Sequence, residues 1–263
     1  MNYIKISIVT PSFNQAAFIE RTILSVINQN YPNLEYIIID GGSNDGSVEI
    51  IKKYEKHLTY WVSEKDKGQS HALNKGFSKA SGDIFAYLNS DDIYLPNTLS
   101  IVAQKFQENE NIDIIYGHAK LIDQNDNKIG LCVALPYKLK EHMNGVFSIP
   151  QPSSFWRKKV YEKLGGFNID NHSCMDAEFF ALASAYNFRF KNINMVLAGF
   201  RVHASSKTGN ENAPLKTIYK IDQEKISSKI CTIKDVRINK FLGMYYRLKY
   251  LPIKLYKKLL LSY

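Results

Sequence analysis

The sequence predicts an α/β protein with a mixed, mostly parallel central sheet flanked by helices, followed by a basic helical extension at the C-terminal end. Three observations lead there. Through the first 110 residues, apolar runs of strand length alternate with segments whose apolar residues recur at helical spacing, the pattern of βαβ units. Two of those runs end in carboxylates: Ile37-Ile38-Ile39-Asp40-Gly41-Gly42-Ser43 and Ile84-Phe85-Ala86-Tyr87-Leu88-Asn89-Ser90-Asp91-Asp92. Residues 229–263 hold nine Lys and Arg against the single acid Asp235, a net +8 out of +9 for the whole chain, so the preceding 228 residues are nearly neutral at +1. Ligands of open α/β sheets bind beyond the carboxyl ends of the strands. Two carboxylate-bearing tips there suit a nucleotide and a hard divalent cation, Mn²⁺ or Mg²⁺.

The elements follow in order. Ile4–Thr10 reads as a buried first strand. Ala17–Gln29 places Phe18, Ile19, Ile23, Leu24 and Ile27 on a helical face. Leu34–Asp40 is a second strand, and Ser47 is positioned to cap a helix reaching about Lys56. Leu58–Ser63, Ser70–Lys79 and Ile84–Leu88 continue as strand, helix and strand, and Pro96 opens a helix to about Glu108. Ile112–Ile122 and Lys128–Ala134 flank the polar turn Asp123-Gln124-Asn125-Asp126-Asn127, which predicts an antiparallel hairpin. Pro150, Pro152, Gly165 and Gly166 punctuate a loop-rich stretch, Asp176–Tyr186 reads as a helix, and Arg189–His203 as an extended run. From Ala213 the chain is expected to be helical to the end, interrupted near Pro252.

Cys132, Cys174 and Cys231 are odd in number and widely spaced, which argues against a zinc site or a disulfide framework and favours a reducing compartment. The first residues read as a strand and not as a leader. No apolar stretch is long enough to span a bilayer. In the tail, Tyr245, Tyr246, Leu248, Tyr250, Leu251, Ile253, Leu255, Tyr256 and Leu259 interleave with Lys and Arg, a composition suited to an anionic membrane surface. Nucleic acid is not expected as a partner, because the body is neutral and no recognition motif appears.

Several motifs in one order resemble the inverting glycosyltransferases of family 2, which have the GT-A (Rossmann-like) fold. They are Val9-Thr10-Pro11-Ser12-Phe13-Asn14, Asp40-Gly41-Gly42-Ser43-Asn44-Asp45-Gly46-Ser47, Asp66-Lys67-Gly68-Gln69-Ser70, Asn74-Lys75-Gly76 and Ser81-Gly82-Asp83. They continue with Leu88-Asn89-Ser90-Asp91-Asp92, Gly165-Gly166-Phe167, Met175-Asp176-Ala177-Glu178 and Arg201-Val202-His203. The acidic motif departs from the frequent Asp-x-Asp form in having Asn89 first. The type resembled is that of bacterial enzymes of cell-surface polysaccharide synthesis.

The resemblance implies roles. Thr10, Pro11, Ser12, Asn14, Asp40, Gly42, Asp66, Gly68, Gln69, Asn74, Asn89 and Asp91 would bind the nucleotide-sugar, with Asp40 accepting from the base and Asp91 meeting the ribose. Asp92 would hold the divalent cation with His203. Asp176 would be the general base that strips the acceptor hydroxyl. Glu178 is the rival base, but lies about 200° around the helix from Asp176, so the two cannot both face the sugar. Gln151 and Trp156 would shape the acceptor pocket, and Arg201 would pair with phosphate.

The expected organisation is one catalytic domain, 1–212, with a nucleotide-sugar half (about 1–110) and an acceptor half (about 111–212), then the basic extension 213–263. The expected activity is metal-dependent transfer of a hexosyl or N-acetylhexosaminyl group from a nucleotide-sugar, a UDP-sugar in the first instance, to a lipid-linked saccharide. It would take place in the cytoplasm, on the inner face of the membrane. Transfer to a polyprenyl phosphate, and a non-catalytic binding or scaffold role on the same fold, are the competing readings.

Overall fold

The computed structural model describes residues 3–146, 148–204, 206, 213–236 and 238–260. Strands β1 (Ile6–Ser12), β2 (Leu34–Asp40), β3 (Tyr60–Ser63) and β4 (Ile84–Tyr87) pair in the order β3-β2-β1-β4, all parallel. The helices α1 (Ile19–Ile27), α2 (Ser47–Lys53) and α3 (Gln69–Lys79) alternate with them. Side chains alternate across these strands. Ile6, Ile8, Ile38 and Ile84 enter the core on the α1 face, and Val9, Ile37, Ile39 and Phe85 enter the core shared with α3. Such near-continuous apolar strands are what a sheet covered on both faces requires. Parallel pairing also aligns the strand ends: Ser12 lies opposite Asp40, and Asp40 opposite Ser63.

The second half completes a nine-stranded mixed sheet. It adds β5 (Ile93–Tyr94), α4 (Thr98–Gln107), β6 (Ile114–Ile122), β7 (Lys128–Cys132), α5 (Leu139–Met143), β8 (Ser154–Arg157), α6 (Lys158–Leu164), α7 (Met175–Ala185) and β9 (Phe190–Arg201). Strand β8 runs antiparallel between β4 and β6, and β9 runs parallel to β6, with β5 antiparallel at its far side. The predicted hairpin is β6–β7. The stretch read as loop-rich holds β8 and α6. Their four and seven residues follow Pro150 and Pro152 too closely for a pattern of their own to emerge, and β8 is stabilised by pairing with two distant strands.

Helices α8 (Ala213–Ile233) and α9 (Lys240–Leu260) form the C-terminal extension. Ile226 and Ile230 pack against Ala181, Leu182 and Ala185 of α7. Tyr250 is buried beside Leu131, Val133, Leu135 and Val146, and donates to Glu141 Oε2 at 2.6 Å. The expected interruption at Pro252 does not occur, since α9 continues through it. Pro252 and Leu248 are both exposed, so the carbonyl that loses its helical partner can face water. The expected boundary at 212/213 falls against residues 207–212, which lie outside the described residues. Among the described residues no helix is long and apolar enough to cross a membrane.

A candidate active site at the strand ends

The carboxyl ends of β1, β2 and β4, the start of α3, the Asn171–Asp176 segment and the end of β9 surround a cleft of about 830 Å³. This volume lies in the range of small-molecule sites. Pro11, Ser12, Gly42, Asp66, Gly68, Gln69, Asn89, Asp91, Gln151, Asp176 and Arg201, all expected at the site, contribute to its wall.

At the β2 tip, Asp40 is fully buried and does not face the cleft as a free acceptor. Its Oδ2 accepts from the Gly42 and Ser43 N–H groups (3.1 and 2.8 Å) and from Ser63 Oγ (2.7 Å), and its Oδ1 from Ser43 Oγ (2.6 Å). The carboxylate thus holds the Gly41–Ser43 turn that forms the wall, and contact with a base is not its role in this geometry. Asn14 closes the same turn: its N–H donates to Ser43 Oγ (2.8 Å) and its Oδ1 accepts from Asn44 N–H (3.1 Å). Gly41 leaves room for its neighbours: a Cβ there would stand 2.9 Å from Asp66 Oδ2 and 3.3 Å from the Phe13 ring, so either side chain would have to shift. Asp66 Oδ1 accepts from Gly68 N–H (2.7 Å), and Gly68 takes the left-handed φ of 102°.

At the β4 tip the two adjacent aspartates part, as neighbours on an extended chain do. Asp91 lines the cleft, and its Oδ2 lies 3.1 Å from His203 Nε2. Asp92 is buried, which corrects its assignment as the metal ligand. Its Oδ1 accepts from the Arg201 N–H (2.8 Å), and its Oδ2 from Asn89 Nδ2 (3.3 Å). Burial, with the charge of Asp91 added, pushes its carboxyl well above the ordinary range. The Arg201 guanidinium is likewise internal. It donates to the Asp91 carbonyl (2.6 Å), the Asp123 carbonyl (2.6 Å) and the Asp126 carboxylate, and lies over the Phe18 ring. It therefore fixes the Asp91 loop from behind, a correction to its expected pairing with phosphate.

An amide relay crosses the cleft floor. Gln69 Nε2 donates to Asn89 Oδ1 (2.6 Å), Asn89 Nδ2 to Gln151 Oε1 (3.2 Å), and Gln151 Nε2 to the Tyr87 carbonyl (3.0 Å). Tyr87 is buried beneath Asp176 and Asp92. Burial first, then their two charges, push its hydroxyl well up.

Asp176 stands in the first turn of α7 and lines the cleft. Glu178 faces the other way, as two helical positions require. It is buried and accepts from Asn168, Asn171 (2.8 Å) and Lys229 (2.9 Å). It braces the loop ahead of α7 and does not compete as the base.

Three expected residues are structural. Trp156 is fully buried among Phe77, Tyr87, Phe167 and Phe179, so it belongs to the core and not to an acceptor pocket. Asn74 bonds Phe167 through both its backbone groups (2.8 and 2.9 Å) and Tyr161 (3.0 Å). Thr10 is buried against Tyr36 (3.1 Å). The sequence reading missed Phe13, Lys65, His172 and Ser173 in the wall. Phe13 and Lys65 sit inside or beside motifs already singled out, and that adjacency is the signal that could have found them; the structure leaves Phe13 61% exposed. His172 and Ser173 precede Met175-Asp176 by too little to be separated from it.

Asp91 and His203 offer a carboxylate oxygen and an imidazole nitrogen within one ligand distance of each other. That mixed donor set fits Mn²⁺ better than Mg²⁺, which prefers oxygen alone, with the remaining positions left for phosphate oxygens and water. Among the described residues no group of three or more such side chains is present.

Comparison with known proteins accords with this geometry. The family model described as "Glycosyl transferase family 2" matches residues 7–187. An uncharacterized glycosyltransferase of Mycobacterium tuberculosis is 30% identical over 184 residues, 68% of each chain. The putative teichuronic acid biosynthesis glycosyltransferase TuaG of Bacillus subtilis is 40% identical over 92 residues, 33% of this chain and 36% of that protein. Among solved structures, S. aureus TarS 1–349 in complex with UDP-GlcNAc superposes with a TM-score of 0.67 at 16% identity, covering 94% of this chain and 72% of that one. The chain spans 43% of the longer TarS chain. The mannosyltransferase PcManGT from Pyrobaculum calidifontis in complex with GDP-Man and Mn²⁺ superposes at 0.63 with 17% identity, over 98% of this chain and 74% of that one. At such identities the solved structures speak to the fold, which is the GT-A arrangement. The family match spans β1 to β8 and helix α7: the chain belongs to glycosyl transferase family 2.

Proposed function

We propose that this chain transfers a hexosyl or N-acetylhexosaminyl group from a nucleotide-activated donor, a UDP-sugar in the first instance, to a hydroxyl of a lipid-linked saccharide in cell-surface polysaccharide synthesis. The observation that carries the reading is that Asp91 and Asp176, far apart in sequence, face one cleft at the carboxyl ends of a parallel sheet. TarS with UDP-GlcNAc supports the donor class, PcManGT with Mn²⁺ supports the cation, and TuaG supports the polysaccharide context.

In this reading residues 1–110 bind the donor, 111–212 shape the acceptor side, and 213–263 form the extension. Lipid-linked acceptors and cytosolic donors place the reaction on the cytoplasmic face of the membrane. Phe13, Gly41, Gly42 and Asp66 form the wall that receives the nucleoside, and Gln69 and Asn89 orient its diphosphate side. Asp91 and His203 would hold a divalent cation, which supplies charge neutralisation at the leaving diphosphate when bound. Asp176 takes the proton of the acceptor hydroxyl as its oxygen bonds to the anomeric carbon from the face opposite the departing phosphate oxygen. The nucleoside diphosphate leaves with the bonding pair, and the centre inverts.

The test is thermal unfolding against a panel of nucleotide-sugars with and without Mn²⁺. At 100 times its Kd, a bound donor stabilises by about 2.7 kcal/mol. A rise for one donor in the presence of Mn²⁺ is expected. No rise for any nucleotide-sugar contradicts the reading.

A further inference from the structure

Helix α9 meets the domain on one side only. The docked side carries Gly243, where a Cβ would stand 2.7 Å from the Asn144 carbonyl, together with Tyr246 and the buried Tyr250. Lys249 pairs with Glu141 (3.1 Å) at the edge of this contact. The opposite side is a continuous apolar stripe. Phe241, Met244, Tyr245, Leu248, Leu251, Leu255, Tyr256 and Leu259 recur at intervals of three and four, and every one is exposed, from 49% at Leu251 to 78% at Phe241. At 100° per residue they occupy an arc of about 140° with no charged residue inside it. Arg247 and Lys258 stand on one edge of that arc and Lys249 on the other. Twenty-one residues make the stripe about 30 Å long.

A stripe of this length and composition is not the ordinary surface of a soluble domain, whose apolar patches are short and broken by charge. Helix α9 carries Lys240, Arg247, Lys249, Lys254, Lys257 and Lys258 and no acid. A second copy of the chain is therefore a poor occupant: pairing two such faces would bring Arg247, Lys249 and Lys258 of each helix, six basic side chains, to one contact. An anionic bilayer surface satisfies both halves of the pattern. The apolar arc enters the headgroup boundary, and the flanking basic side chains, Lys258 together with Arg247 beside Gly145 and Lys249 on Glu141, set positive charge along both its edges at the level of lipid phosphates.

We infer that the outward face of α9 lies in the surface of an anionic membrane and holds the domain there by its inward face. This inference deepens the proposed reading, which needs a lipid-linked acceptor to reach the cleft. The segment that α9 docks against, through Val146, continues into Gln151 of the cleft wall.

The experiment is flotation of the full chain with vesicles of phosphatidylcholine alone, or mixed with phosphatidylglycerol, at low and high salt. The variants are Leu248→Glu/Leu255→Glu in the arc and Arg247→Gln/Lys258→Gln on its edge. All four side chains are exposed, and thermal unfolding of each variant checks its fold. The full chain is expected to float with the anionic vesicles only, and less at high salt. The arc variant should stay at the bottom. The edge variant should lose about thirtyfold in partitioning, fivefold for each basic residue. Equal flotation of the full chain and the arc variant overturns the inference. So does failure of the full chain to float, including the case in which it sediments as a dimer that the arc variant dissociates. Donor-induced stabilisation, measured on the same samples, tests the enzymatic reading separately.

Discussion

The Asp91 carboxylate meets the His203 imidazole at 3.1 Å across 112 positions of sequence. The contact joins the tip of β4 to the end of β9. Arg201 sets its geometry from behind, with its guanidinium on the Asp91 carbonyl and its N–H on Asp92. The two adjacent aspartates divide the labour, one towards the cleft and one into the core.

That division gives opposite phenotypes for neighbouring residues. Asp91→Ala should leave the melting temperature nearly unchanged and remove Mn²⁺-dependent transfer. Asp92→Ala should lower stability by about 1–3 kcal/mol, because the buried Arg201 N–H loses its acceptor. Denaturant titration of both variants, alongside an activity assay with Mn²⁺, measures the contrast. Mn²⁺-dependent transfer that survives in Asp91→Ala assigns the cation elsewhere.

Asp176→Asn should lower kcat by roughly two to four decades while the donor binds as before, the scale expected for loss of a general base. Glu178→Gln should instead weaken the brace on Asn168, Asn171 and Lys229, and so lower the melting temperature with a smaller change in kcat. Single-turnover rates with a bound donor separate the two, and the reverse pattern would exchange their roles.

Much of this is legible in the sequence. Parallel βαβ architecture followed from period and composition, and the site's position followed from where Asp40, Asp91 and Asp176 fall relative to strand and helix ends. Orientation did not follow. The sequence says that Asp176 and Glu178 face different ways but not which of them meets the cleft, and it puts both Asp91 and Asp92 at the site where the structure keeps only Asp91. That depends on partners far along the chain: Lys229 and Asn168 for Glu178, Arg201 for Asp92. Trp156 and Asn74 illustrate the same limit. Each stands in a motif-rich stretch, and each is claimed by packing or hydrogen bonds with Phe167.

Trp156 offers a direct check on the acceptor side. As a core residue, Trp156→Phe should keep kcat/KM within about threefold and cost stability, while truncation to Ala should cost about 3–5 kcal/mol. A large loss in acceptor KM for Trp156→Phe without a change in melting temperature would return this residue to the pocket.

The pH dependence of stability has a contributor away from the site. Glu35 is buried at the start of β2, and burial alone would raise its pKa. Hydrogen bonds from Ser7 and from both the N–H and the hydroxyl of Ser81, with the Lys5 ammonium at 3.0 Å, outweigh that and lower it to about 2. A lowered folded pKa stabilises above the unfolded value and is lost as pH falls through the folded one. Glu35→Gln should therefore be less stable than the parent at pH 7 by about 2 kcal/mol, the scale of a charged hydrogen bond. The gap should close between pH 4.5 and about 2. A gap that is constant with pH in paired denaturation curves would show that the carboxylate's charge is not what the site uses.

The central claim is that Asp91, with His203, brings a divalent cation to a nucleoside diphosphate in the cleft. The most direct measurement is calorimetric titration of UDP into the full chain and into Asp91→Ala, each with Mn²⁺ and with chelator. The expected result is binding to the full chain that weakens at least about tenfold on chelation, a difference of roughly 1.4 kcal/mol, and no such Mn²⁺ effect in Asp91→Ala. Equal Mn²⁺ enhancement in both proteins would contradict the claim.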